Sequence, residues 1–177
     1  MFGVNEAGEQ LRNYDARHWA GVRASEVAYD SIHRLIAGDG VDADEIFAQQ
    51  IYAFWEVDGL PGLRELGAVG FIEDRSESDY RFGAMANLVT EAAETGSPLA
   101  RAVCDARVSG LCVGIRIVGL RFADPAIEVG LVGGVVSSRY VQKAVSRVLA
   151  EVRERQFTVV EPVFAPEIGA VMMAPEN

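Results

Sequence analysis

A strand, a pair of glycines, a helix and a second strand follow one another between residues 126 and 160, and that order leaves few folds open. Ala126–Val132 (AIEVGLV) is a short apolar run that ends in Gly133-Gly134. A run of that length, bounded by glycine, reads as a buried parallel strand. Ser137 or Ser138 caps the helix that follows. Tyr140, Val141, Ala144, Val145, Val148, Leu149 and Val152 fall on its inner stripe. Gln142, Lys143, Arg147, Glu151 and Arg153 fall on the opposite side. Phe157–Val160 (FTVV) reads as the second strand. Two strands joined through a helix of this length lie parallel, with a right-handed crossover. The expected class is α/β.

The chain before this unit reads as helical. Residues 1–18 carry Gly3, Gly8 and Asn13 as punctuation and suit a short hairpin or an irregular entry. A helical pattern runs from Trp19 to Ile36, and Gly38-Asp39-Gly40 ends it. Asp42 or Asp44 caps the next helix, with Glu45 completing a capping pair. Calcium binding by Asp39, Asp42, Asp44 and Glu45 is the weaker reading, because the loop lacks the required glycine and distal glutamate. Residues 56–80 read as a turn at Asp58–Gly62, one helical turn at Leu63–Leu66 and a polar loop at Glu73–Asp79. Two helices follow, from about Arg81 to Ala93 and from Pro98 to about Val118 or Leu120. Ser97 caps the second, and Pro98 takes its first position. The apolar C-terminal half of that helix predicts burial between layers. Gly169 and Ala170 lie in a last short apolar helix, Ile168–Ala174. The whole reads as one domain, 1–177, with a mainly helical part to residue 80.

Half of the 177 residues are hydrophobic and 24% are charged, which is enough apolar surface for a packed core. The formal net charge of -10 leaves no basic footprint for nucleic acid. No apolar run is long enough to span a bilayer, and the first residues do not form a signal peptide. A cytoplasmic protein is expected. Cys104 and Cys112 stand eight residues apart on one helix. That is about 12 Å along its axis, too far for a bridge. His18 and His33 have no partners at metal-ligand spacing. Thr95-Gly96-Ser97 follows a helix rather than a strand, so it reads as a linker with a cap and not a phosphate loop. Asp105, Asp124 and Glu128 read as solvated charges.

Chemistry points to the end of the first strand. Ligands of open α/β sheets bind beyond the carboxyl ends of the strands. Gly130, Gly133 and Gly134 let a ligand approach the backbone there. The helix start, with Val135 and Ser137, would offer free N–H groups and a positive dipole end. A tight turn with no ligand explains the same glycines equally well. The spacing is neither G-x-G-x-x-G nor a P-loop.

Three segments in order resemble a known family. Met85–Val89 through Glu91–Ala93 with Gly96–Ala102, then Val129–Val135 (VGLVGGV), then Pro166-Glu167-Ile168-Gly169-Ala170, are similar to the second lobe of the BadF/BadG/BcrA/BcrD ATPases. N-acetylglucosamine kinases and activators of acyl-CoA dehydratases belong to that family. The resemblance covers residues 81–174, and 1–55 more loosely. It implies the second lobe of an actin-like, RNase H-like ATPase domain, with a helix-rich start followed by a βαβα unit. It implies ATP or ADP with Mg²⁺, a sugar substrate, and an adenosine seat at Gly130, Gly133, Gly134, Val135, Ser137 and Gly169.

The family's first lobe has no counterpart in this sequence. The Asp-Gly-rich phosphate hairpin, the acid that acts on the acceptor and the Gly-Thr-Gly-type loop are missing. Where relatives carry a Gly-Asp-Glu-Gly-Ser-like segment, this chain has Trp19-Ala20-Gly21-Val22-Arg23-Ala24-Ser25, without the acid pair. Phosphoryl transfer depends on positioning and charge neutralisation around the γ-phosphate. Three readings follow: the nucleotide-side lobe of a split kinase that needs a separate first-lobe chain, a non-catalytic half that binds a partner or dimerises, and a dehydratase activator. The last needs cluster-binding cysteines in a loop at a dimer face, and Cys104 and Cys112 fit that poorly.

Overall fold

The computed structural model describes residues 2–19 and 21–162. Ten regular elements follow in order: β1 (Phe2–Val4), β2 (Gln10–Arg12), α1 (Ala24–Ala37), α2 (Glu45–Trp55), α3 (Gly59–Ala68), α4 (Arg75–Thr95), α5 (Pro98–Gly119), β3 (Ala126–Gly130), α6 (Arg139–Ala150) and β4 (Gln156–Val160). The fold is mixed α/β and mostly helical. Strands β1 and β2 form the expected antiparallel hairpin, and β3 and β4 pair in parallel with Gly130 opposite Val160. The helix expected at Ile168–Ala174 lies outside the described residues.

Helix α5 is the spine. It starts as its sequence requires, with the Ser97 hydroxyl accepting the Ala100 N–H (3.1 Å) and Pro98 behind it. It packs on α1, α4 and α6, and its end lies against the β3–β4 sheet. Gly119 makes that approach possible: a Cβ there would meet the Phe157 ring at 2.8 Å and Ile127 at 3.1 Å. Burial is not complete around the helix, however. Leu111, Cys112, Ile115 and Val118 are inside, while Val113 and Leu120 face out. Arg107 ties the spine to α1, donating through Nε to Asp30 (2.9 Å) and through Nη1 to Glu26 (3.1 Å).

The helical core closes around an aromatic cluster. Tyr29 of α1 stacks on Phe82 of α4 with centroids 4.1 Å apart, and Trp55 of α2 lies 4.9 Å from Phe82. The Trp55 Nε1–H reaches the Met85 sulfur at 3.3 Å, so its polar atom is not stranded.

Several elements depart from expectation. Helix α1 begins at Ala24, not Trp19, and ends as expected at Gly38, whose φ of 93° closes the turn. Asp58–Gly62 is not a turn but the entry to α3. Proline is tolerated in a first helical turn. Gly62 and Gly67 are there for packing, since a Cβ would meet Val57 at 3.1 Å and Ile36 at 3.0 Å. Glu73–Asp79 is not a loop either. Asp74 caps α4 by accepting the Glu77 N–H (2.8 Å), and the polar residues after it are an exposed first turn and a half.

Asp44 is the largest surprise. It does not cap α2 through its side chain. Residues Asp42–Asp44 form a 3-10 turn, in which Asp44 Oδ2 accepts the Val41 N–H (3.0 Å). Its Oδ1 crosses the fold to the start of α5, accepting from the Ser97 hydroxyl (2.6 Å) and the Leu99 N–H (3.0 Å). A helix N-terminus carries orphan N–H groups and positive potential, so a distant carboxylate serves it as well as a local one.

Candidate functional site

Strand β3 ends at Gly130, and the chain then turns sharply into α6. Leu131 and Val135 are buried and anchor the turn, while Gly133 and Gly134 are exposed between them. Gly133 has φ 126°, a conformation that L side chains rarely adopt. The turn is closed by the Ser137 N–H on the Gly133 carbonyl (2.9 Å) and the Ser138 N–H on the Val135 carbonyl (3.2 Å). Of the two candidate caps, Ser138 is the one used, accepting the Val141 N–H at 3.4 Å.

A cavity of about 630 Å³ runs along β3 and past its end, from Ile127 to Val132. Gly130, Leu131, Val132 and Val136 form one wall. Leu111, Ile115 and Val118 of α5 form an apolar floor. The opposite wall comes from the N-terminal segment through Val4, Asn13, Tyr14, Trp19 and Arg23. Of the residues expected at a ligand seat, Gly130 lines the cavity. Gly133, Gly134, Val135 and Ser137 shape the turn beside it and do not line it. Gly169 lies outside the described residues. Among the described residues, a Cβ at Gly130 or Gly134 would meet nothing within 4 Å.

The N-terminal wall is what sequence reasoning missed. Tyr14 and Trp19 are half and mostly exposed, and their rings stack with centroids 5.1 Å apart and an angle of 25° between planes. Two exposed aromatics five residues apart were the available signal. Asn13 lies behind them at 1% exposure. Its Nδ2 donates to the His18 carbonyl (2.9 Å), while its Oδ1 receives no donor among the described residues. A buried acceptor left open costs about 1–3 kcal/mol. Arg23 and Glu128 bring one positive and one negative charge to the lining, so the cavity is formally neutral. Glu128 is thus a wall residue as well as a solvated acid.

Part of the donor set at the turn and the start of α6 is used within the chain, beginning with the Ser137 N–H on the Gly133 carbonyl. The Val141 N–H goes to Ser138, and the Tyr140 N–H goes to Glu94 Oε1 (3.2 Å). A carboxylate already occupies the positive end of the helix. The other acids have structural partners. Asp105 accepts from the Tyr140 hydroxyl (3.1 Å) and pairs with Arg147 (3.4 Å). Burial, with Asp105 beside it, raises the Tyr140 hydroxyl pKa. Asp124 accepts the Ala126 N–H (2.8 Å) at the start of β3. Both cysteines are buried and unbridged. Burial, helped by Asp105, pushes the Cys104 thiol up to about 12, and burial pushes Cys112 up to about 11. Among the described residues, no three His, Cys, Asp or Glu side chains converge as metal ligands. No helix of the described residues is long and apolar enough to cross a membrane.

No protein-family model, no curated protein and no solved structure matches this chain.

Proposed function

We propose that the chain is the nucleoside-holding lobe of an actin-like, sugar-kinase-type ATPase, related to the N-acetylglucosamine kinases and without the lobe that handles phosphate. The supporting observation is the cavity. It runs along β3 from Ile127 and continues past the strand's carboxyl end to Val132, beside a Gly-Gly turn, and α/β sheets take their ligands beyond that end. Its volume is that of a small-molecule site, its floor is apolar, and an aromatic pair stands at its lip. An adenine nucleoside suits such walls. Among the described residues no three His, Cys, Asp or Glu side chains converge as metal ligands, and we assign turnover to a first lobe acting together with this one. The two buried, unbridged thiols favour a cytoplasmic setting.

Calorimetric titration with adenosine and with ATP, on the wild type and on Gly130→Phe, tests the reading. The new ring has open space at its Cβ and takes up cavity volume. Wild-type binding that Gly130→Phe lowers by about tenfold or more, with the melting temperature kept, is the expected result. No binding by the wild type, or equal binding by both proteins, removes the proposal.

A second reading has its own support. Val4, Tyr14, Trp19 and Val132 are 48–73% exposed, and all four line this cavity. Apolar rims of this kind mark interaction surfaces. The same face then docks the phosphate lobe or a second copy of the chain. Sedimentation at rising concentration decides whether the chain self-associates.

A further inference from the structure

The cavity lies against an open strand edge. Consecutive residues of β3, Ile127 through Gly130, line it, and no residue of β4 does. Successive side chains of a strand point to opposite faces, so a space that touches each residue in turn runs along the backbone edge. Gly3 and Val4 of β1 stand across it, and the apolar side of α5 closes it from below.

The ladder to β4 fixes which backbone groups face that edge. The Gln156 N–H donates to the Pro125 carbonyl (2.9 Å), and Ala126 lies in register with Gln156. Backbone groups alternate between the two sides of a strand. Ile127 and Val129 therefore turn theirs to β4, while Ala126, Glu128 and Gly130 turn theirs away. The Ala126 N–H is taken by Asp124 Oδ1 (2.8 Å). Among the described residues, nothing bonds to the N–H or C=O of Glu128 or Gly130, and both residues are exposed. Each offers a donor and an acceptor, and the two sets recur about 6.6 Å apart, which is the two-residue repeat of another strand. Parallel sheets are ordinarily covered, and an unpaired edge is a template for a further strand.

Charge narrows the partner. Glu128 is exposed on the edge strand, and the whole chain carries a net charge of -10. A cross-strand neighbour of opposite sign stabilises such a pair, and one of like sign weakens it.

We propose that the free edge of β3 binds an extended segment of a separate polypeptide as an added strand. Its apolar side chains face α5 and alternate with a lysine or arginine beside Glu128. This deepens the docking reading of the same face and stands apart from the nucleoside seat. The added strand takes the cavity from Ile127 to Gly130, and the seat is the stretch past that end.

The test is residue-resolved amide exchange by NMR on the full chain, alone and with the peptide acetyl-Thr-Val-Lys-Val-Thr-amide. In the chain alone, the Glu128 and Gly130 N–H groups should exchange at least about tenfold faster than those of Ile127 and Val129 at every protein concentration. The peptide should slow Glu128 and Gly130 by about tenfold near saturation. The same peptide with N-methylated backbone should leave them unchanged, and glutamate in place of its lysine should weaken binding several-fold. Glu128→Pro fills the open edge without removing a bond to β4. It should keep the protection of Ile127 and Val129 and abolish the effect of the peptide on Gly130. Edge amides already slow in the chain alone overturn the proposal: slow exchange that persists on dilution means the chain covers its own edge, and slow exchange lost on dilution means a second copy does. No slowing at about 5 mM peptide overturns it as well, as does equal binding of the N-methylated peptide. Adenosine is left out throughout, so none of these outcomes bears on the nucleoside seat.

Discussion

Replacing Asp44 with alanine tests how the helical part is held together. The carboxylate is 2% exposed and accepts three hydrogen bonds, from the Val41 N–H, the Ser97 hydroxyl and the Leu99 N–H. Alanine strands two backbone donors and a hydroxyl. Each buried orphan costs about 1–3 kcal/mol, and Ser97 can rotate and still cap Ala100, so the expected loss is about 3–5 kcal/mol. Asp44→Asn keeps one oxygen for Ser97 and Leu99 but turns an amide N–H₂ toward Val41, for a loss of about 1–2 kcal/mol. Acidity adds a second signature. Burial pushes the carboxyl up, yet the bonds from Ser97, Val41 and Leu99 outweigh it, and the group sits below its ordinary 3.8. The folded protein therefore holds this proton less tightly than the unfolded chain does. The stabilisation is complete above pH 3.8 and is lost as the pH falls through the lower, folded value. Urea denaturation followed by circular dichroism, at neutral pH and in steps below pH 3.8, measures the gap between wild type and Asp44→Ala. The gap should be widest at neutral pH and narrow in acid. A gap under about 0.5 kcal/mol, as for an ordinary surface change, or one that ignores pH, would refute the argument.

Two further outcomes follow from packing. Gly119→Ala forces a methyl against the Phe157 ring, and overpacking of that kind should cost about 1–3 kcal/mol, read as a lower melting temperature. The cavity beside β3 should widen or deform with it, so adenosine affinity should fall in the same variant. Cys104 and Cys112 should not react with a thiol reagent at neutral pH in the folded protein, and should react in urea at the rate of unfolding. Rapid labelling of the native protein contradicts their placement.

Much of the architecture was legible because it depends on local chemistry. Ser97-Pro98 announces α5, Gly38 stops α1, and the stripe from Val141 to Leu149 defines α6. The parallel β3–β4 pair follows from the helix between its strands. The errors arose where local signals serve distant neighbours. Gly62 and Gly67 look like turn formers, and they are spacers against Val57 and Ile36. The start of α4 looks like a loop because its residues are exposed and polar, leaving no apolar stripe to read. Asp44 precedes a helix and serves another, more than fifty residues on. The cavity was half visible. Gly130 belongs to a strand end, where ligands are expected, whereas Asn13, Tyr14 and Trp19 acquire a role only once the hairpin folds back on α5.

That fold-back gives the cavity walls of unequal strength. The β3 side is built into the spine through Gly119, Ile127 and Leu131. The hairpin side is held by Leu11 and Asn13 inside, by Gly3 packed closely on Val118 and Phe122, and by exposed links: Glu6 to the Asp124 N–H (3.0 Å), and Arg121 to Glu9 (3.8 Å) and Asp15 (4.0 Å). Exposed ion pairs contribute little. Residues 2–19 therefore have fewer buried ties than the helical core, and form a leaf that can lift from the body before the helices unfold. A ligand bridging leaf and body would be felt first in the amide-exchange protection of β1 and β2, and only weakly in the stability of the core.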